Sequence, residues 1–278
     1  MSTGPPSDGL WLDGPASGGG RGSGRVVRVH GPIEWVFLLG AGVVAGVVGT
    51  AGGITSLVAY PALLAVGIPP LAANVTNSLA LLGSGFGSAL RAAPDLTGHA
   101  RTLRDWIPST VLFSLGGAAL LVVTPGGVFD RVVPFLVAAG SVILLLQPVI
   151  AKRHAQNGTR PNRFLIRLSG GGVAVYNGYF GAGSGVLMIA LLLLTTEPIL
   201  HRANALKNVI LVAADILPAV LFTIVGAVVW RAVWPLGIGA LVGGLVGPTI
   251  ARRVPASVLR PLIAVCGFVL AVWLFLNA

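Results

Sequence analysis

Residues 179–189 read YFGAGSGVLMI, three glycines, an alanine and a serine set into one of the most apolar parts of the chain. In a soluble protein such a run suggests a phosphate-cradling loop, but that reading needs a strand before it and an amphipathic helix after it. Neither is present. In hydrocarbon the run means something else, because backbone polar groups there must find partners and irregular backbone survives only where it is buried in protein or lines a cavity. The stretch therefore decides the fold, provided that the chain around it lies in a membrane.

Composition settles that condition. Of 278 residues, 55% are apolar and 9% are charged, the mean hydropathy is +0.90, and ordinary soluble domains carry roughly 25% charged residues. A bilayer core about 30 Å thick takes about 20 helical residues to cross. From Ile33 to Ala278 almost every polar interruption is followed by another apolar run of about that length, so the expected fold class is an all-α integral membrane protein with the lipid bilayer as its first partner. The formal charge of +10 would suit nucleic acid, yet the 18 basic residues are scattered in short loops and form no stripe with interleaved aromatics. No nucleic-acid partner is expected; basic loops of this kind orient membrane proteins. Cys266 is the single cysteine, which rules out an intrachain disulfide and a thiolate metal cluster. Residues 1–32, rich in Gly, Ser and Pro and lacking the apolar core of a secretory signal, read as a disordered N-terminal tail.

Ten helical segments can be drawn, at about 33–49, 54–67, 72–90, 104–123, 130–150, 164–180, 184–196, 203–229, 232–250 and 258–277. The second and seventh reach only roughly 20 Å at 1.5 Å per residue and are too short to cross unaided. Both follow a glycine-rich break, GTAGG at 49–53 and GAGSG at 181–185. Both lead through a proline turn, Ile68-Pro69-Pro70-Leu71 or Glu197-Pro198-Ile199-Leu200, to a helix opening Ala73-Asn74-Val75-Thr76-Asn77-Ser78 or Ala203-Asn204-Ala205-Leu206-Lys207-Asn208. The chain thus reads as two copies of one unit: membrane repeat 1 over 33–151, a cytoplasmic linker over 152–163, and membrane repeat 2 over 164–278.

Five segments is an odd number, so if all five cross, the second copy enters the membrane from the opposite side and the repeats are inverted. With the N-terminus outside, the inner loops hold Arg91, Arg101, Arg104, Lys152, Arg153, Arg160, Arg163, Arg202, Arg252, Arg253 and Arg260, and the outer loops only Arg131 and Arg231. That distribution follows the positive-inside rule. Arg21, Arg25 and Arg28 in the tail point the other way and are outvoted by the loops. A multi-pass protein of the plasma (inner) membrane is expected.

Paired interrupted helices point to a substrate site, because free N–H groups and the positive end of a helix dipole can face an anion. Gly49, Thr50, Gly52 and Gly53 in the first break, and Gly181, Gly183, Ser184 and Gly185 in the second, are the candidate binding residues, with Thr50 and Ser184 offering hydroxyl donors. Other glycines, Gly42-x-x-x-Gly46, Gly83-x-Gly85-x-Gly87 and Gly239-x-x-x-Gly243, read as helix-packing surfaces. On the helix from Arg202 to Val229, Asn204, Lys207, Asn208, Leu211 and Asp215 share one broad face. Intramembrane charges cost at least about 2.5 kcal/mol each and normally face a polar interior, although Lys207 could instead snorkel to the interface. Asp215 lies too deep for that. A carboxylate repels an anion, so Asp215 is read as a coupling or structural residue: a proton carrier, a partner for Lys207, or a hydrogen-bonded acid near Pro218. Asn74, Thr76, Asn77 and Ser78 form the matching set in the first copy, and together the two sets read as walls of one cavity. Tyr176 and Tyr179 fit an interfacial aromatic belt.

With these residues in view, the chain resembles the TauE/SafE family of sulfite and organosulfonate exporters. The resemblance rests on GVVAGVVGTAGGITSLVAYPALLAVGIPPLAANVTNSLA in the first half and GGGVAVYNGYFGAGSGVLMIALLLLTTEPILHRANALKNVIL in the second, and it covers nearly all of 33–278. It departs from the family pattern at Thr50 and Ala51, where members often carry further glycine. The resemblance implies a secondary transporter exporting a small sulfur-containing anion, with proton coupling as an option. An inside-negative potential favours that export by about 2.3 kcal/mol per charge per 100 mV. An anion channel built on the same helix ends is the alternative. An intramembrane enzyme fares worse: Ala182-Gly183-Ser184-Gly185 resembles the serine loop of rhomboid proteases, which needs a histidine on a later helix, and none follows His201. His30, His99 and His154 lie outside the spans, so no catalytic residue, metal site or cofactor is assigned. The oligomeric state is left open, a homodimer being one arrangement.

Overall fold

A computed structural model describes residues 31–157, 163–225, 228–251 and 256–277. The tail up to residue 30 and residues 158–162 of the linker lie outside them. The helices are α1 (Pro32–Gly52), α2 (Ser56–Ala65), α3 (Pro70–Ala92), α4 (Ala100–Val123), α5 (Gly126–Asn157), α6 (Arg163–Tyr179), α7 (Ser184–Thr195), α8 (Leu200–Val225), α9 (Trp230–Ala251) and α10 (Ala256–Asn277), with a 3-10 turn at Ala93–Leu96. Among the described residues there is no strand, and the fold is the all-α one that the composition requires. α1, α4, α8 and α9 each contain a stretch long and apolar enough to cross a membrane, while α2 and α7 are short apolar helices. Gly67, at φ 85°, reverses the chain after α2, and Pro70 starts α3 where its missing N–H costs nothing. Residues 152–157 of the linker stretch continue α5.

The outer surface carries many large apolar side chains. Phe86, Leu112, Phe135, Ile224, Val269 and Leu276 all project outward, which is stable against acyl chains and costly against water. Without a hydrophobic drive between helices in lipid, packing depends on close approach of small residues. A Cβ on Gly46 would lie 2.4 Å from the Ala240 carbonyl oxygen, and one on Gly243 would lie 2.2 Å from that of Val43, so α1 and α9 touch backbone to backbone. α4 and α6 do the same through Gly117 and Gly178.

The packing partners come in matched sets. α1 lies on α9 and α4 on α6; α3 lies on α9 and α4 on α8; α5 pairs with α10 and α3 with α8. Advancing every helix by five places converts each contact into its counterpart or into itself. The two copies are therefore interleaved, each completing the other's interfaces.

Two sequence expectations change. Gly83 and Gly87 do pack on α9, but Gly85 turns instead toward Val212 of α8, because residues two apart do not share a helix face. The first break is also shorter than GTAGG: α1 stays helical through Gly52, and Gly53 N–H still reaches the Gly49 carbonyl at 2.7 Å. Gly49 is needed for a different reason, since a Cβ there would lie 1.9 Å from the Thr55 hydroxyl oxygen as the chain folds back over the helix.

Candidate functional site

The two breaks meet. Gly53 has φ 72°, Gly181 has φ 78° and Gly183 has φ 82°, all left-handed values that side chains with a Cβ adopt only at a cost. A Cβ on Gly53 would lie 2.5 Å from the Gly185 carbonyl carbon, and a Cβ on Gly185 would lie 2.6 Å from the Gly53 Cα. Each break is then stapled from the other copy. Asn74 Nδ2 donates to the Tyr179 carbonyl at 2.9 Å, and Asn204 Nδ2 donates to the Thr50 carbonyl at 2.7 Å. Two asparagines in matching positions thus satisfy backbone oxygens that the interrupted helices would otherwise leave bare. Tyr176 OH adds a third clasp, donating to the Ala182 carbonyl at 2.6 Å. That tyrosine serves the break, not the interfacial belt.

Beside this crossing lies a cavity of about 90 Å3. From the first copy Gly49, Thr50, Gly53, Asn77 and Ser78 line it; from the second, Gly181, Ser184, Gly185, Lys207, Asn208 and Asp215 do. Gly183, Asn74 and Asn204 stay outside the lining, the two asparagines holding the breaks from behind; the surroundings of Gly52 lie outside the described residues. Thr50 brings no free hydroxyl, because it donates to the Gly46 carbonyl of its own helix at 2.7 Å.

Lys207 is 3% exposed, which excludes snorkelling. Its Nζ donates to the Gly49 carbonyl at 3.2 Å, so the cation sits against the end of α1. Asp215 is not its partner. Its carboxylate instead accepts a hydrogen bond from Asn177 Nδ2, and Asn177 Oδ1 accepts one from the Ser184 hydroxyl at 2.6 Å. Eight residues separate the lysine from the acid, about 12 Å along the helix axis. The Gly185 N–H and the Asn208 amide have no hydrogen-bond partner among the described residues. The donor-rich end therefore lies around Lys207 and the tip of α7.

The sequence reading missed Thr55, Ser56, Ser84, Gly85, Ser88 and Asn177, which also line the cavity. Asn77, Ser78, Leu81, Ser84, Gly85 and Ser88 recur every three or four residues on α3, and that polar stripe on an apolar helix was the signal available. Asn77 reaches across it to Ser56 at the start of α2, donating at 3.2 Å.

A second polar feature ties the helix ends together. Glu197, in the turn between α7 and α8, pairs with His99 at 2.6 Å and accepts from the Ile199 N–H at 3.0 Å. Burial works against its charge, but the His99 hydrogen bond, the Ile199 amide and the charges of His99 and Arg202 outweigh it and hold the carboxyl below the usual carboxylate range. A depressed carboxyl stabilises the fold above its unfolded value of 4.5 and stops doing so as pH falls through the lower folded value. Glu197→Gln is expected to lower the melting temperature of the purified protein at pH 7 by about 2–4 °C per kcal/mol lost. The gap to the unmodified protein should close in acid.

Interrupted, mutually stapled helices around a polar cavity, wrapped in apolar surface, define a multi-pass membrane protein of the transporter class. The chain belongs to the sulfite exporter TauE/SafE family, whose profile matches residues 36–274. It is 29% identical over 241 residues to the Probable membrane transporter protein ORF9 of Sinorhizobium sp., covering 85% of this chain and 90% of that one. A Probable membrane transporter protein of Haemophilus influenzae is 25% identical over 84% of this chain and 91% of its own length. For the Probable membrane transporter protein YfcA of Escherichia coli K12 the figures are 23%, 86% and 89%. No solved structure gives a significant match.

Proposed function

We propose that the chain is a secondary transporter that exports a small sulfur-containing anion, sulfite or an organosulfonate, across the plasma membrane, with its two halves inserted in opposite senses around the cavity. The observation that carries this reading is the meeting of Lys207, Asn208 and Gly185 in the wall of one cavity beside the crossed breaks, where each brings a hydrogen donor with no side-chain acceptor assigned to it. All three are hydrogen donors, and an oxyanion is an acceptor on every face. The tip of α7 adds the positive end of a helix dipole. A volume of about 90 Å3 suits a small ion, being well under the roughly 300–1,000 Å3 of pockets for drug-sized ligands. The family description supports the sulfur chemistry, the membrane potential supports the outward direction, and the loop arginines support the orientation. Asp215, an acceptor when ionised, serves coupling to protons and not substrate contact.

The test is uptake of labelled sulfite, sulfoacetate, acetate and sulfate into inside-out proteoliposomes, with and without a pH gradient. Saturable uptake of a sulfur oxyanion, stimulated by counterflow and weakened by Ser184→Val, is the expected result. Equal competition by acetate would remove the sulfur assignment, and uptake that neither saturates nor exchanges would make the protein a channel.

A further inference from the structure

We infer that Asn177 links the protonation of Asp215 to the anion site, switching the Ser184 hydroxyl between two hydrogen-bonding states. The inference rests on the anion-carrier reading and supplies the step by which a proton and an anion would travel together. Asn177 acts here as a positioning residue, working through Ser184.

The chain of donors leaves no choice of direction while Asp215 is ionised. A carboxylate only accepts, so the Asn177 amide must present its NH2 to Asp215, as observed. Its carbonyl oxygen then faces Ser184 and accepts the hydrogen bond of the hydroxyl at 2.6 Å. In this state Ser184, at the first turn of α7 and on the cavity wall, has spent its one donor. It turns oxygen lone pairs, not hydrogen, toward any anion. Protonating Asp215 lifts that requirement, because the neutral acid has an O–H to donate, and the inferred switch uses that donor. The acid now donates, the amide turns so that its oxygen accepts from Asp215, and its NH2 donates to the Ser184 oxygen. The hydroxyl proton is released to point at the anion beside the Gly185 N–H. One proton thus removes a negative charge from the wall and adds a donor to it.

The surroundings leave this link isolated. Among the described residues, Lys207, on the same helix about 12 Å away, is the one other charged side chain in the cavity lining. Toward the cavity α3 presents Asn77, Ser78, Ser84 and Ser88, α6 presents Asn177, and α7 presents Ser184. α4, which also packs on α8, carries Arg101, Arg104 and Asp105 only in its first six residues. None of these lies within ion-pair distance of Asp215.

The experiment is binding of sulfoacetate to the full-length protein in detergent between about pH 6 and pH 9, where the ligand is fully ionised, with proton uptake followed by a dilute pH indicator. The expected result is close to one proton taken up per anion, with affinity falling about tenfold per pH unit on the alkaline side. Asp215→Asn and Asn177→Leu should bind with neither slope nor proton uptake, and Asn177→Gln, which keeps an amide, should recover part of both. Should Asn177→Leu fail to fold, infrared difference spectra of the unmodified protein decide the matter: sulfoacetate must generate a protonated-carboxyl band that Asn177→Gln shifts and Asp215→Asn abolishes. Binding without proton uptake, an unchanged slope in Asn177→Leu, or no carboxyl band overturns the link and leaves the carrier reading standing. No binding of any sulfur oxyanion overturns both.

Discussion

Lys207→Met is expected to abolish most anion transport while leaving the protein as stable as before, or more so. Lys207 is 3% exposed, and its ammonium has one backbone oxygen for company, the Gly49 carbonyl at 3.2 Å. That oxygen already accepts the Gly53 N–H at 2.7 Å, so removing the lysine orphans nothing. A buried charge without a counter-ion is a cost that the fold carries, and an apolar side chain of similar length relieves it. The anion, by contrast, loses a charge-assisted hydrogen bond worth about 1.5–3 kcal/mol, or roughly 10- to 150-fold in affinity. Lys207→Arg should not rescue it, because the guanidinium fork is wider than the ammonium and cannot sit in the same place against the break. Uptake assays paired with melting curves check both halves. A variant that transports normally removes Lys207 from the site, and one that unfolds contradicts the claim that its burial is a cost to the fold.

Gly53→Ala should be among the most damaging single-methyl changes in the chain, and Gly67→Ala measures how much of that damage is local. Both residues have positive φ, 72° and 85°. At Gly67 nothing lies within 4 Å of an added Cβ, so alanine meets only the left-handed strain of about 1–2 kcal/mol. At Gly53 the same carbon would sit 2.5 Å from the Gly185 carbonyl carbon, adding an overpacking cost of about 1–3 kcal/mol against backbone that cannot rotate away. The clash also pries the two breaks apart, so transport should fall with stability. Equal melting temperatures for the two variants would mean that the breaks do not touch.

Much of this arrangement was legible in the residues themselves. The short helices, their glycine breaks and the Asn-bearing helices repeat within the chain, so each element checked the reading of its twin. GxxxG spacing marked the α1–α9 contact because close approach in lipid leaves a periodic signature. What stayed hidden depends on geometry that no spacing encodes. Thr50 was read as a free donor, but a threonine hydroxyl inside a helix has the carbonyl four residues back within reach, and it took that of Gly46. Lys207 and Asp215 share a helix face and were open to pairing, yet eight residues is two turns, and each found a partner on another helix. Asn177 gives no periodic signal, although a lone amide just before a break is placed to satisfy it. The α3 stripe ending at Ser88 was visible but was overshadowed by the glycines interleaved with it.

The central claim is that one small cavity is walled by the broken helix of each half and holds the anion between them. Single cysteines at Ser56, on the first broken helix, and at Ser184, on the second, placed in a Cys266→Ala background, test it directly with a small sulfonated thiol reagent. Both cysteines are expected to react, and sulfoacetate to protect both with the same concentration dependence. Protection of one without the other, or reaction of both unaffected by sulfoacetate, would contradict it.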